Sequence, residues 1–206
     1  ASFQGSFSSI YLLARPISLK ISPRAFWKAY FSIFEVIARH CCAIHTERAL
    51  EYWPNIYCGA IVFLTVPLYA INEKIPARKR FGMILLGSVF LLSFSTNVLN
   101  FIWHGMNYPD SLPARQSFIY ILLILVMSYD CLTHMDGFKA KDVVSVCLVA
   151  GVFFLCVEKF VDVDDFLTWT WLMNLAFVTV YAICLHLSKT RKGMVAQDVV
   201  GMLAFV

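Results

Sequence analysis

Trp103, His104, Asn107, Tyr108, Asp110 and Arg115 stand close together in the stretch 97–118, a polar, aromatic and proline-broken turn between two apolar runs. They bring to one place an imidazole that can give or take a proton near neutral pH, a carboxylate, and a guanidinium whose charge does not titrate away. Such a guanidinium at the first turn of a helix suits a phosphate, because its fork pairs two oxygens at once. Pro109 and Pro113 stiffen the turn. Asn97 and Asn100 lie one helical turn apart and share a face, so they can tie their helix to a neighbour or reach a polar headgroup. The bland reading stands beside this one. Trp, Tyr and His are ordinary at a bilayer surface, and an Arg near a helix end often only snorkels.

What must position these residues follows from composition. Of 206 residues, 60% are hydrophobic and 16% aromatic, and the mean hydropathy is +0.71. A soluble domain is roughly half apolar or less. Lipid leaves free backbone N–H and C=O groups unsatisfied, so the proline-broken turn belongs at the interface or in a protein-lined cavity. The expected fold is all-α, a polytopic transmembrane helix bundle. Spans are expected at 57–72, 81–103, 118–132, 143–157 and 166–187, with a sixth beginning at 195–206. Residues 1–56 form an extracytoplasmic or interfacial segment, with an amphipathic helix over 25–44 that is either interfacial or re-entrant, or a plain packing helix.

The net charge of +4 does not point to nucleic acid, because the basic residues fall in the gaps between apolar runs and read as topology. Arg78, Lys79 and Arg80, then Lys139 and Lys141, then Lys189, Arg191 and Lys192 mark gaps on the inner side. The stretch 103–116 and the acidic gap 158–165 then lie outside. Because the chain begins Ala-Ser-Phe-Gln and ends at Val206 inside an apolar run, it is expected to be part of a larger protein, and no signal peptide is recognisable.

Other polar residues carry weaker signals. Asp162, Asp164 and Asp165 can hold a divalent cation, although such a run is more often a solvated turn; no other cofactor is indicated. Asn174, in mid-span, should hydrogen-bond to another helix as a structural tie. Asp130 and His186 read as interface residues. His40 and His45 flank the paired Cys41 and Cys42 without regular ligand spacing, and the seven cysteines read as small hydrophobes. The chain contains no phosphate-binding glycine loop, HExxH or nucleophile elbow.

Pro54-Asn-Ile-Tyr-Cys-Gly59, Leu68-Tyr-Ala-Ile-Asn-Glu-Lys-Ile75, Leu99-Asn-Phe-Ile-Trp-His-Gly-Met-Asn-Tyr-Pro109 and Leu112-Pro-Ala-Arg-Gln-Ser-Phe118 occur in that order. Over about residues 50–135 the chain resembles the bacterial YfhO family. The resemblance implies a multi-pass protein of the bacterial plasma membrane, similar to the GT-C glycosyltransferases. Those enzymes use polyprenyl-phosphate-linked sugars on the outer face, here with a cell-envelope polymer such as lipoteichoic acid as acceptor. It implies substrate binding by His104, Asn107 and Arg115, with Trp103, Asn100, Tyr108 and Asp110 around them, among membrane lipids and without nucleic acid. Ala114 departs from the aromatic expected there. The catalytic carboxylate of GT-C enzymes follows their first span and is expected outside this chain, so Asp110 is not put in that role. A lipid or lipid-linked-sugar transporter, which would show paired repeats with broken helices, and a non-catalytic membrane scaffold remain the alternatives.

Overall fold

The computed structural model describes residues 33–42, 56–106, 114–160 and 168–190. Among the described residues every regular element is helical: α1 Ile33–Ala38, α2 Val62–Ile71, α3 Ala77–Ser95, α4 Asn97–Trp103, α5 Ser117–Thr133, α6 Ala140–Phe160 and α7 Thr168–Thr190, with a single 3-10 turn at Met135–Gly137. The chain folds as an all-α membrane helix bundle. Its exposed surface is apolar in the manner lipid requires, with Leu148, Val149, Val152 and Leu155 on α6 and Leu172, Val180 and Ile183 on α7 all facing outward. The stretches Ala140–Lys159 and Trp169–Lys189 are long and apolar enough to cross a membrane.

Polar contacts at the helix ends set the direction of each helix. Lys79 near the start of α3 pairs with Asp130 near the end of α5 at 2.6 Å, and Gln116 just before α5 donates to Ser93 near the end of α3 at 3.4 Å. These two helices are therefore antiparallel. Thr65 of α2 donates to Ser128 of α5 at 2.7 Å, and Asn72, just past α2, donates to the His134 carbonyl just past α5 at 2.9 Å. That pair runs parallel. His186 of α7 meets the Ala140 carbonyl at the start of α6, so α6 and α7 are antiparallel too.

One end of the bundle thus gathers residues 72–80, 130–142 and 186–190. The connections there are locked together. Asn72 is fully buried and its side-chain carbonyl accepts from the Lys74 N–H at 3.0 Å. The Glu73 N–H donates to the Gly137 carbonyl at 2.8 Å. Lys189 donates to the Met135 carbonyl and lies over the Phe138 ring, 4.9 Å from its centroid. Arg80 donates to the Ala70 carbonyl at 2.8 Å.

Two elements depart from a plain reading of apolar runs. The run 81–103 is not one helix: it breaks at Thr96, whose backbone is extended with φ −111° and ψ 133°. At the break Ser93, Ser95 and Thr96 all turn their hydroxyls back onto the Phe90, Leu91 and Leu92 carbonyls. Such bonds compete with the helical ladder. The run 57–72 becomes helical only from Val62, because Gly59 takes φ +100°, a conformation that suits glycine. Ile56, Ala60 and Ile61 on either side of that turn are buried, while Tyr57 is exposed.

Of the 25–44 region, Ile33–Ala38 is helical and 39–42 turn away. Val36, Ala38, Arg39, His40, Cys41 and Cys42 are all buried. This segment packs among the helices.

A polar cluster at the end opposite the basic loops

The inserted segment is held from two sides. On one side His40 reaches Tyr120 in the first turn of α5, Nε2 to hydroxyl at 3.0 Å, while its Nδ1 lies 2.9 Å from the Ile37 carbonyl. A carbonyl only accepts, so Nδ1 carries the proton and Nε2 accepts from the Tyr120 hydroxyl. That is the neutral imidazole. Burial reinforces it by holding the His40 pKa down at about 4, since desolvation penalises the charged ring. On the other side Asn174 clamps Cys42: its side-chain carbonyl accepts from the Cys42 N–H at 3.0 Å. Its amide donates to the Cys42 carbonyl at 3.2 Å and to the Thr170 carbonyl at 2.7 Å. Asn174 is fully buried and acts as the structural tie its mid-span position suggests.

Aromatic rings carry the cluster to the edge of the predicted loop. His40 meets Tyr120 edge-on at 5.5 Å, and Tyr120 meets Phe94 edge-on at 5.4 Å. Phe94 packs on Phe90, and Phe90 stacks on Trp103 at 5.2 Å with ring planes 19° apart. On its other flank His40 meets Phe63, which packs edge-on against Phe154 at 4.9 Å. Each such pair contributes roughly 0.5–1.5 kcal/mol beyond area burial, so Trp103 is mechanically continuous with the buried imidazole.

Of the residues singled out from sequence, Trp103 is 43% exposed at the end of α4, His104 is half-buried just beyond it, and Arg115 is exposed just before α5. All three lie at the end of the bundle opposite Arg78, Lys79 and Arg80. Asn100 is in α4. Asn107, Tyr108 and Asp110, like Asp162, Asp164 and Asp165, fall outside the described residues. The backbone is strained on both sides of the loop, with φ +63° at Met106 and +61° at Ala114, values that cost an L-residue about 1–2 kcal/mol. Ala114 is also buried, which accounts for a small side chain there.

Sequence reasoning does not single out Arg39, Gln116 and Tyr120, and it takes His40 only as a neighbour of the paired cysteines. Arg39 is 4% exposed, and an ionisable side chain inside a membrane bundle marks a functional region more often than not. Its only signal in the sequence is a charge inside a helical apolar pattern. Cys41 and Cys42 beside it are buried free thiols.

An apolar helical bundle with basic loops at one end and a buried polar cluster at the other defines a membrane protein. A family profile described as bacterial membrane protein YfhO matches residues 7–206, and the chain belongs to that family. The match runs well beyond the motifs at 54–118. No curated protein and no solved structure is significantly similar to the chain.

Proposed function

We propose that this chain contributes to a multi-pass membrane glycosyltransferase of the bacterial plasma membrane, which moves a sugar from a polyprenyl-phosphate donor to a cell-envelope polymer such as lipoteichoic acid. The observation that supports the reading is that two fixed cations, buried Arg39 beside the Tyr120-bonded His40 and exposed Arg115 just before α5, both lie towards the bundle end opposite the basic loops. By the positive-inside rule the basic loops are cytoplasmic and the two arginines extracytoplasmic.

In the transfer, the acceptor hydroxyl oxygen bonds to the anomeric carbon as the bond from that carbon to the phosphate oxygen breaks. The acceptor's proton passes to a base that is not among the residues assigned here. Polyprenyl phosphate leaves with an added negative charge, and a guanidinium at that oxygen stabilises it as it forms. Arg115 is assigned this role, with His104 and Trp103 shaping the pocket and Asn100, Asn107, Tyr108 and Asp110 contributing around them. Arg115→Ala in the intact protein, expressed in its own membrane, should abolish sugar incorporation into envelope polymer while protein abundance stays unchanged. Unaltered incorporation removes Arg115 from the mechanism.

A further inference from the structure

Helix α3 begins against its own electrostatics. Arg78, Lys79 and Arg80 occupy its first turn with no acidic residue among them, where the aligned peptide dipoles already place partial positive charge. Its N-cap is Pro76, which gives no side-chain cap. The Pro76 carbonyl accepts from the Lys79 N–H at 2.9 Å and from the Arg80 N–H at 3.1 Å. The Ala77 and Arg78 N–H groups have no acceptor among the described residues, and both residues are exposed. A helix of 19 residues that starts in this way is poised for an anion. Lys79 is already balanced by Asp130 at 2.6 Å; among the described residues no carboxylate pairs with Arg78 or Arg80.

A second observation, on a different helix, points to the same place. Tyr69, in the last turn of α2, is 0% exposed, and its hydroxyl has no partner, an arrangement that costs stability unless something else pairs with it. The end of α2 meets the start of α3 there: Arg80 Nη1 donates to the Ala70 carbonyl at 2.8 Å, while its Nε is buried without an acceptor. Tyr69 lies close enough to Lys79, Arg80 and Asp130 to feel their charges. We infer that the start of α3, together with Arg80 and Tyr69, binds a phosphate group, carried by an anionic phospholipid headgroup or as free phosphate. A tetrahedral oxyanion meets every requirement at once. Its charge suits the helix start and the guanidinium, and its several oxygens can accept from the Ala77 and Arg78 N–H groups, Arg80 Nε and the Tyr69 hydroxyl. A water could satisfy Tyr69 but would leave the charge unanswered. The site lies at the bundle end opposite Arg115 and has no part in the transfer reaction.

The test follows the unfolding midpoint of the full chain, stripped of lipid in a non-ionic detergent, as inorganic phosphate or short-chain phosphatidylglycerol is added. Phosphatidylcholine of the same chain length controls for hydrocarbon binding. A ligand of the folded state raises the midpoint. A rise with inorganic phosphate assigns the site to the free ion, and a rise with phosphatidylglycerol alone assigns it to the headgroup. No rise with either, or an equal rise with phosphatidylcholine, overturns the inference. Tyr69→Phe should raise the half-maximal ligand concentration about tenfold, the loss of one hydrogen bond to a charged group. Without ligand it should unfold no lower than wild type, because only an unpaired buried hydroxyl is removed. Arg80→Gln should weaken binding at least as much. Lys141→Gln, at the same bundle end but on α6, should leave it unchanged. A Tyr69→Phe protein that responds as wild type does, or a Lys141→Gln protein weakened as much as Tyr69→Phe, reduces the effect to a general attraction of basic ends for anions and overturns the site.

Discussion

His40 couples the inserted segment to pH. Its Nδ1 donates to the Ile37 carbonyl and its Nε2 lies 3.0 Å from the Tyr120 hydroxyl, so a second proton would place a charged imidazolium in a desolvated site. The folded pKa is about 4 against an ordinary 6.5, which means the unfolded chain takes up the proton more readily. Stability is therefore fully present above pH 6.5 and falls as pH drops towards 4. Integrated from pH 7 to pH 5, the loss is about 2 kcal/mol. Thermal unfolding in detergent should show the midpoint falling over that interval, and His40→Gln should flatten the dependence while lowering the midpoint at pH 7. A midpoint in His40→Gln that tracks the wild type across the whole range would assign the acid sensitivity to other groups.

Gly137 is where the α2–α3 and α5–α6 connections touch. A Cβ added to it would fall 1.7 Å from the Asn72 side-chain oxygen and 2.9 Å from the Lys74 backbone nitrogen, and Asn72 cannot retreat without leaving the His134 carbonyl and the Lys74 N–H unpaired. Gly137→Ala should cost about 2–3 kcal/mol through this overpacking, read as a lower unfolding midpoint, while Gly82→Ala, with open space around it, should be near neutral. These ties also mark the limit of what a linear reading of elements reveals. Helix α5 runs unbroken over Ser117–Thr133. The break at Thr96 escapes the same reading, since Ser and Thr in an apolar run look like small helix residues until their hydroxyls are seen on the preceding carbonyls. The inserted segment is harder still. Lys28, Glu35 and Arg39 look like a polar face in sequence, yet Arg39 is buried, and the ties that hold its neighbours, Tyr120 to His40 and Asn174 to Cys42, come from far along the chain. Trp103, His104 and Arg115 stand out because they are near in sequence; the bond from Tyr120 to His40 does not, because packing joins residues 80 apart.

At the scale of the molecule, helix directions sort the charges. Residues 72–80, 130–142 and 186–190 share one end through Lys79–Asp130, Asn72–His134 and His186–Ala140, and they include Lys74, Arg78, Lys79, Arg80, Lys139, Lys141 and Lys189. Alternation of basic and non-basic gaps along the sequence is what a threaded bundle requires, and the packing gathers the basic gaps spatially without drawing in Arg115. The proposed orientation, with this end in the cytoplasm, rests on the cost of moving Lys and Arg across the bilayer during insertion. Substituted-cysteine labelling in a background without the native thiols reads this directly. Met106→Cys, at a position 59% exposed, should react with a membrane-impermeant maleimide in intact cells, and Lys141→Cys only after the membrane is permeabilised. Labelling of both in intact cells, or of Lys141→Cys alone, would place the loop and the basic ends on the wrong sides. Arg115 would then have no access to an extracytoplasmic phosphate.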